Sequence, residues 1–337
     1  MPPGLYFRHG SSLEHETGSH PENKARIPAI EAELERRGWF GWERREAPAV
    51  DIAKLERIHP PALVALIRST AESGGAWLDA DTLVSPGSWT AALHAAGGAC
   101  ALVDALMTGA APTGFAGLRP PGHHCEAGRA MGFCLFNNVA VAAQHALDAH
   151  GAERVLVFDW DVHHGNGTND IFHASRDVLY VSIHQSPLYP GTGPLRDVGS
   201  GDAEGYTVNL PVPPGAGEAI WLSLVQHLVV PIMQSYEPSL VLVSAGFDAH
   251  RDDPLAQCTL TGDSFAEMAA HVKAAARGLG VPFGAVLEGG YDLGALATSV
   301  AATLEVFGGD DEAQPEDIER EQLTAEAAQV VGKYWPV

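Results

Sequence analysis

Four runs of unbroken apolar residues, 154–159, 178–184, 239–245 and 282–288, set the architecture. A strand with one wet face alternates apolar and polar residues, whereas a strand covered on both faces reads as a continuous apolar run. Around these runs lie stretches with helical periodicity: 138–150, 219–236, 264–278 and 293–307, preceded by 31–38, 61–72 and 88–108. Strand, helix, strand in regular order predicts an α/β fold, a central mostly parallel sheet with helices on both faces. No fixed-period repeat or composition shift divides the 337 residues. They read as a single domain, 1–337, with an acidic linker at about 308–321 before a last helix ending near Tyr334 and Trp335.

Charge narrows the partners. With 20 Lys and Arg against 42 Asp and Glu, the net charge is −22. That argues against nucleic acid, whose phosphates call for a basic face. It suits cationic small molecules or basic peptides, which a negative surface attracts, or else serves solubility alone. No apolar run reads as a membrane span, and the first residues lack the basic and apolar regions of a secretory signal. Cys100, Cys125, Cys134 and Cys258 form no metal-binding spacing, so reduced thiols and a cytoplasmic location are expected.

The densest chemical signal is Asp159-Trp160-Asp161-Val162-His163-His164, directly after a buried strand. In extended backbone Asp159, Asp161 and His163 share a face. Two carboxylates and an imidazole at a strand's carboxyl end make a plausible metal site, where open α/β sheets bind ligands. A second apolar run ends in Phe247-Asp248-Ala249-His250. Alone, Asp248 caps a helix as readily as it binds metal. Paired with the first cluster it completes Asp161, His163 and Asp248, three protein ligands with a position open for water or substrate. Two oxygens and one nitrogen are a harder set than zinc usually takes, which leaves Fe2+ or another divalent ion open beside it.

Further along lie Arg119-Pro120-Pro121-Gly122-His123-His124 and Leu287-Glu288-Gly289-Gly290-Tyr291. The first presents adjacent histidines on a rigid turn, suited to acid–base work beside a metal. In the second, glycines allow close backbone approach, and Tyr291 either packs or donates to a developing oxyanion. Of the remaining histidines, His15 and His20 could border the site, and an N-terminal surface loop explains them as well. His94, His145 and His271 read as structural or exposed helix positions. The Gly- and Pro-rich segments 118–134 and 185–205 are long enough to be functional loops.

The order of these motifs, with Gly132-Phe133-Cys134 and Ser186-Pro187-Leu188-Tyr189 between them, resembles the zinc-dependent histone deacetylase family, class II branch. The resemblance implies an arginase–deacetylase fold with a sheet of about eight strands. It implies Zn2+ (or Fe2+) held by Asp161, His163 and Asp248, and His124 as general base and acid with His123 in electrostatic support. Asp159 would hold His123 and, with Ser182, a structural K+. Asn166 would partner His124, as in class II. Gly132, Phe133 and Tyr189 would line an acyl-lysine tunnel, with Ser88 at its rim contacting substrate. The implied substrate is an acyl-lysine protein or peptide. The alternatives are a small acylated amine such as an acetylpolyamine, or an inactive acyl-lysine binder. Leu255 stands where polyamine-selective members carry a glutamate, which favours acyl-lysine. An oligomer remains compatible with the sequence.

Overall fold

Each of the four apolar runs is a strand in the computed structural model, which describes residues 3–309 and 315–337. They are β6 (Val155–Asp159), β7 (Val178–Gln185), β9 (Leu240–Ala245) and β10 (Phe283–Leu287), all fully buried. With β1 (Leu5–Arg8), β2 (Glu43–Glu46), β5 (Thr113–Ala116) and β8 (Thr207–Val212) they build one eight-stranded sheet, ordered β2-β1-β5-β10-β9-β6-β7-β8. Every pairing in it is parallel. A two-stranded hairpin, β3 (Ala76–Trp77) and β4 (Leu83–Val84), stands apart.

The helices are α1 (Arg26–Arg36), α2 (Ile52–Leu55), α3 (Pro61–Glu72), α4 (Ser88–Met107), α5 (Asn138–His150) and α6 (Asn166–Phe172). After them come α7 (Glu218–Leu224), α8 (Val230–Tyr236), α9 (Gly262–Leu279), α10 (Leu293–Gly308) and α11 (Gln322–Val331). Local signals set their ends. Asn137 caps α5 by accepting the Ala140 N–H, and Gly151 stops it in the left-handed region at φ 63°. Thr261 and Ser264 form a capping box on α9, which ends at left-handed Gly280. The expected helix 219–236 is α7 and α8 joined by a π turn at 225–229.

One core packs α1 and α7–α10 on one face of the sheet, around Trp160, Trp221, Phe247 and Phe265. A second packs α4 and α5 on the other, through Ala95, Leu102, Val139 and Ala143 against Val157 and Val286. Helix α4 corrects the sequence-based exclusion of membrane spans: by length and composition it is apolar enough to cross one. Here it is a mostly buried core helix. Of the expected acidic linker, residues 310–314 lie outside the described residues.

Strand register positions the chemistry. Asp159 at the end of β6 lies opposite Ser244 of β9 and Ser182 of β7, and Ala245 lies opposite Leu287 of β10. The segments leaving β5, β10, β9 and β6 therefore emerge side by side at one carboxyl edge, the ordinary ligand-binding edge of an open sheet.

Candidate active site

The segment after β6 and the segment after β9 bring three donors together at that edge. His163 Nδ1 lies 3.1 Å from Asp161 Oδ1 and 3.0 Å from Asp248 Oδ2, and all three residues are buried. Backbone amides orient the carboxylates: Gly289 N–H donates to Asp161 Oδ2 (2.8 Å), and Val162 N–H to Asp248 Oδ1 (2.9 Å). Burial and the charge of Asp161 raise the pKa of Asp248. Two buried carboxylates this close call for a cation.

The surrounding backbone leaves room for one. A Cβ on Gly246 would come within 2.0 Å of Asp161 Oδ2, and one on Gly289 within 2.2 Å of Asp248 Oδ2. Glycine at both positions lets two strand ends close on the carboxylates. The donor set and its spacing fit a divalent metal with one or more open positions.

The segment after β5 supplies the tandem histidines, whose ring centroids are 4.0 Å apart. Their partners differ in charge. His123 Nδ1 donates to Asp159 Oδ2 at 3.0 Å, and Asp159 also accepts from Tyr180 OH at 3.0 Å. Burial disfavours charge on His123, but Asp161 and Asp159 outweigh it and raise its pKa to about 10. His124 Nδ1 instead meets Asn166 Oδ1 at 2.9 Å. Because Asn166 Nδ2 donates to Glu126 Oε1 (2.9 Å), the Asn166 oxygen faces the ring, so His124 carries its proton on Nδ1 and keeps a lone pair on Nε2. Burial, then the charges of His123 and His163, hold His124 well below the usual imidazole range. Adjacent residues thus have opposite protonation preferences, a charged His123 beside a neutral His124. Glu288 fixes their turn, its Oε2 accepting from Gly122 N (2.6 Å) and His123 N (3.1 Å).

A cavity of about 190 Å³ opens onto this cluster, lined by Asp81, His124, Gly132, Phe133, His163, Leu188, Tyr189, Leu255 and Tyr291. The Phe133 ring meets Tyr291 edge-on (5.7 Å between centroids), and Tyr189 meets His124 edge-on at 5.1 Å. Gly290, at φ 116°, makes the turn that presents Tyr291. Burial and the charge of Asp248 raise the Tyr291 pKa well above the phenol range, so it stays a proton donor. Beneath its ring lies the Arg26 guanidinium, 5.1 Å from the centroid. Arg26 also donates to the carbonyls of Gly290 (2.7 Å) and Glu288.

Asp161, His163, Asp248, His123, His124, Asp159, Asn166, Gly132, Phe133, Tyr189, Leu255 and Tyr291 thus gather at one edge. Ser182 is the register partner of Asp159, and its hydroxyl meets His184 Nδ1 at 2.9 Å. Ser88 does not belong to the rim. It is fully buried at the start of α4, where its Oγ accepts the Ser85 N–H (2.7 Å) and meets His15 Nδ1 (2.6 Å). Asp81, from the turn of the β3–β4 hairpin, lines the cavity instead, and sequence spacing does not connect it to the site. His15 is also not on the surface: it is buried beside Glu22. His20 does border the site, edge-on to Phe133 at 4.5 Å.

The Histone deacetylase domain model matches residues 20–307. The chain is 38% identical over 329 residues to Histone deacetylase 14, chloroplastic, of Arabidopsis thaliana, covering 91% of this chain and 77% of that protein. It is 40% identical over 274 residues to the Histone deacetylase-like amidohydrolase of Pseudomonas aeruginosa, covering 80% and 71%. The crystal structure of the HDA15 HD domain superposes with a TM-score of 0.93 at 36% identity, covering 99% of this chain and 96% of that one.

Proposed function

Because the chain belongs to the histone deacetylase family, we propose that it hydrolyses the amide of acyl-lysine side chains in proteins or peptides, with a divalent metal at Asp161, His163 and Asp248. The supporting observation is a narrow, largely aromatic cavity that has His124, His163 and Tyr291 in its lining. An unbranched acyl-lysine fits such a channel between Phe133 and Tyr189. Zn2+ (or Fe2+) held by that trio would act as a Lewis acid on the amide carbonyl and lower the pKa of water.

The chain's own residues do the rest. His124 Nε2, with its lone pair free and Nδ1 held by Asn166, takes the proton from the attacking water. His123, paired with Asp159, places positive charge beside the developing anion. Tyr291 donates its phenolic proton as a hydrogen bond to the tetrahedral oxyanion. His124 then returns the proton to the departing lysine amine as the carbon–nitrogen bond breaks, leaving amine and carboxylate. A structural K+ beside Asp159 and Ser182 belongs to the same reading.

A second reading, an acetylpolyamine or other small-amide hydrolase, is favoured by one feature: Asp81 sets a carboxylate in the cavity lining, where a distant ammonium would pair with it. Side-by-side kcat/KM values for acetyl-lysine peptides, longer acyl-lysines and acetylated polyamines test the two. Preference for an acyl-lysine peptide supports the first reading. Preference for acetylspermidine establishes the second, and no turnover of any amide removes both.

A further inference from the structure

Helices α4 and α5 pack against each other on the sheet face described above, and the end of α5 gathers donors that the amide reaction does not use. His145 and His150 both aim Nε2 at one carboxylate oxygen, Asp104 Oδ1 of α4, at 2.7 Å each. The His145 side chain is 5% exposed and that of His150 18%, whereas that of Asp104 is 50% exposed, which leaves a route from solvent. The three donor atoms lie within 4.8 Å of one another, as do those of Asp161, His163 and Asp248.

Three polar groups compete around one of these nitrogens. Lys54 Nζ of α2 lies 3.4 Å from the same His145 Nε2. With a proton on Nε2 for Asp104, His145 has no lone pair to receive Lys54. With the lone pair kept for Lys54, it faces the carboxylate lone pair to lone pair. A cation at the point of convergence would take both imidazole lone pairs and the carboxylate oxygen together, with half-buried Lys54 turned to water. His150 is the last residue of α5, so that cation also faces the negative end of the helix dipole. Ligands at ~2.0–2.1 Å in a tetrahedral site sit ~3.3 Å apart, so the donors must spread by about 0.6 Å. Asp104, half in solvent, can supply that movement. Two imidazole nitrogens and one carboxylate suit Zn2+, Ni2+ or Cu2+ better than Mg2+ or Ca2+.

We propose that Asp104, His145 and His150 form a second divalent transition-metal site, independent of the catalytic trio, that ties α4 to α5. Metal-stripped full chain is titrated with Zn2+ in a chelator buffer, and bound metal is counted by elemental analysis. Asp104→Asn and His150→Ala should each bind one equivalent fewer than wild type and keep its kcat. Asp248→Ala should bind Co2+ with a visible d–d absorption that Asp248→Ala/His150→Ala lacks, which reads the second site without the first. Circular dichroism checks that each variant folds, and Asp104→Asn is isosteric and half exposed. A stoichiometry that both Asp104→Asn and His150→Ala leave unchanged overturns the proposal. So does a Co2+ spectrum in Asp248→Ala that survives His150→Ala.

Discussion

Asp253 Oδ2 accepts the backbone N–H of Tyr291 at 2.7 Å, tying the turn after β9 to the turn that presents the phenol. Its other oxygen accepts the Leu255 N–H at 2.9 Å, so one buried carboxylate orients both a rim residue and the oxyanion donor. Asp253→Ala should lower kcat by on the order of 10–100-fold through misplacement of Tyr291, with metal content unchanged. Steady-state kinetics with metal analysis checks it. Wild-type kcat in Asp253→Ala would leave the residue a purely structural role.

Tyr291→Phe keeps the ring against Phe133 and over Arg26 but removes the hydroxyl. The expected loss is about 10²–10³-fold in kcat with little change in KM, the cost of one oxyanion donor. A Tyr291→Phe variant with nearly wild-type kcat would leave Tyr291 a packing residue and argue against a specific hydrogen bond.

Activity should vanish with the metal. Stripping by a chelator, or Asp161→Ala, should abolish turnover, and Zn2+ or Fe2+ should restore the stripped wild type but not the variant. Full turnover by demonstrably metal-free protein would refute the metal assignment.

Leu255→Glu adds a carboxylate at the cavity lining. A partner for a polyamine's far ammonium is worth ~1–3 kcal/mol, so the kcat/KM ratio of acetylspermidine to acetyl-lysine peptide should rise about 10–100-fold. Both substrates are measured at one ionic strength. An unmoved ratio removes Leu255 as the selector.

Glu22 links pH to stability. It is buried with Arg119 (2.7 Å from Oε2 to Nη2) and Arg26 (3.2 Å). Burial works against its charge, but Arg119 and His15 prevail and hold its pKa well below 4.5. A depressed folded-state pKa stabilises the fold above the unfolded-state value near 4.5, and the contribution fades as pH falls below that. Glu22→Gln removes the one carboxylate charge shared by two buried guanidinium groups and should cost about 3–5 kcal/mol at neutral pH. The gap between wild type and variant should narrow below pH 4.5, as denaturant titrations at several pH values would show. A constant gap from pH 7 to pH 3 would contradict this linkage.

The central strands were legible because burial on both faces leaves an unmistakable apolar run. β2, β5 and β8 were not. β2 is Glu-Arg-Arg-Glu, with no apolar residue to mark it, and pairs with β1 through its backbone ladder. β5 contains Gly114, where a Cβ would meet Leu102 Cδ1 at 2.4 Å, and β8 contains Pro211. α1 begins at Arg26 rather than near residue 31 because Pro28 falls in its first turn, where a missing N–H costs nothing. The ligands and tandem histidines were readable because each strand end carries its donors as near neighbours. Asp81 and Asp253 act through loops whose approach only the fold defines. Ser88 is away from the rim because a serine opening a helix can turn its hydroxyl back to local backbone instead of outward.

The outer strands of the sheet also decide what a second chain can do there. All four side chains of β2 are exposed, with Glu43 and Arg45 paired at 2.7 Å. An extended segment adding to that side would have to strip water from a row of charges along so short a strand. At the other side α11 lies against β8, and Trp335 Nε1 bonds the Gly205 carbonyl just before it. An eight-stranded parallel sheet is a ready template for strand addition and fibril growth. In this chain the template is blunted by charge at one margin and roofed by the C-terminal helix at the other, so a truncation that removes α11 should expose an aggregation-prone strand.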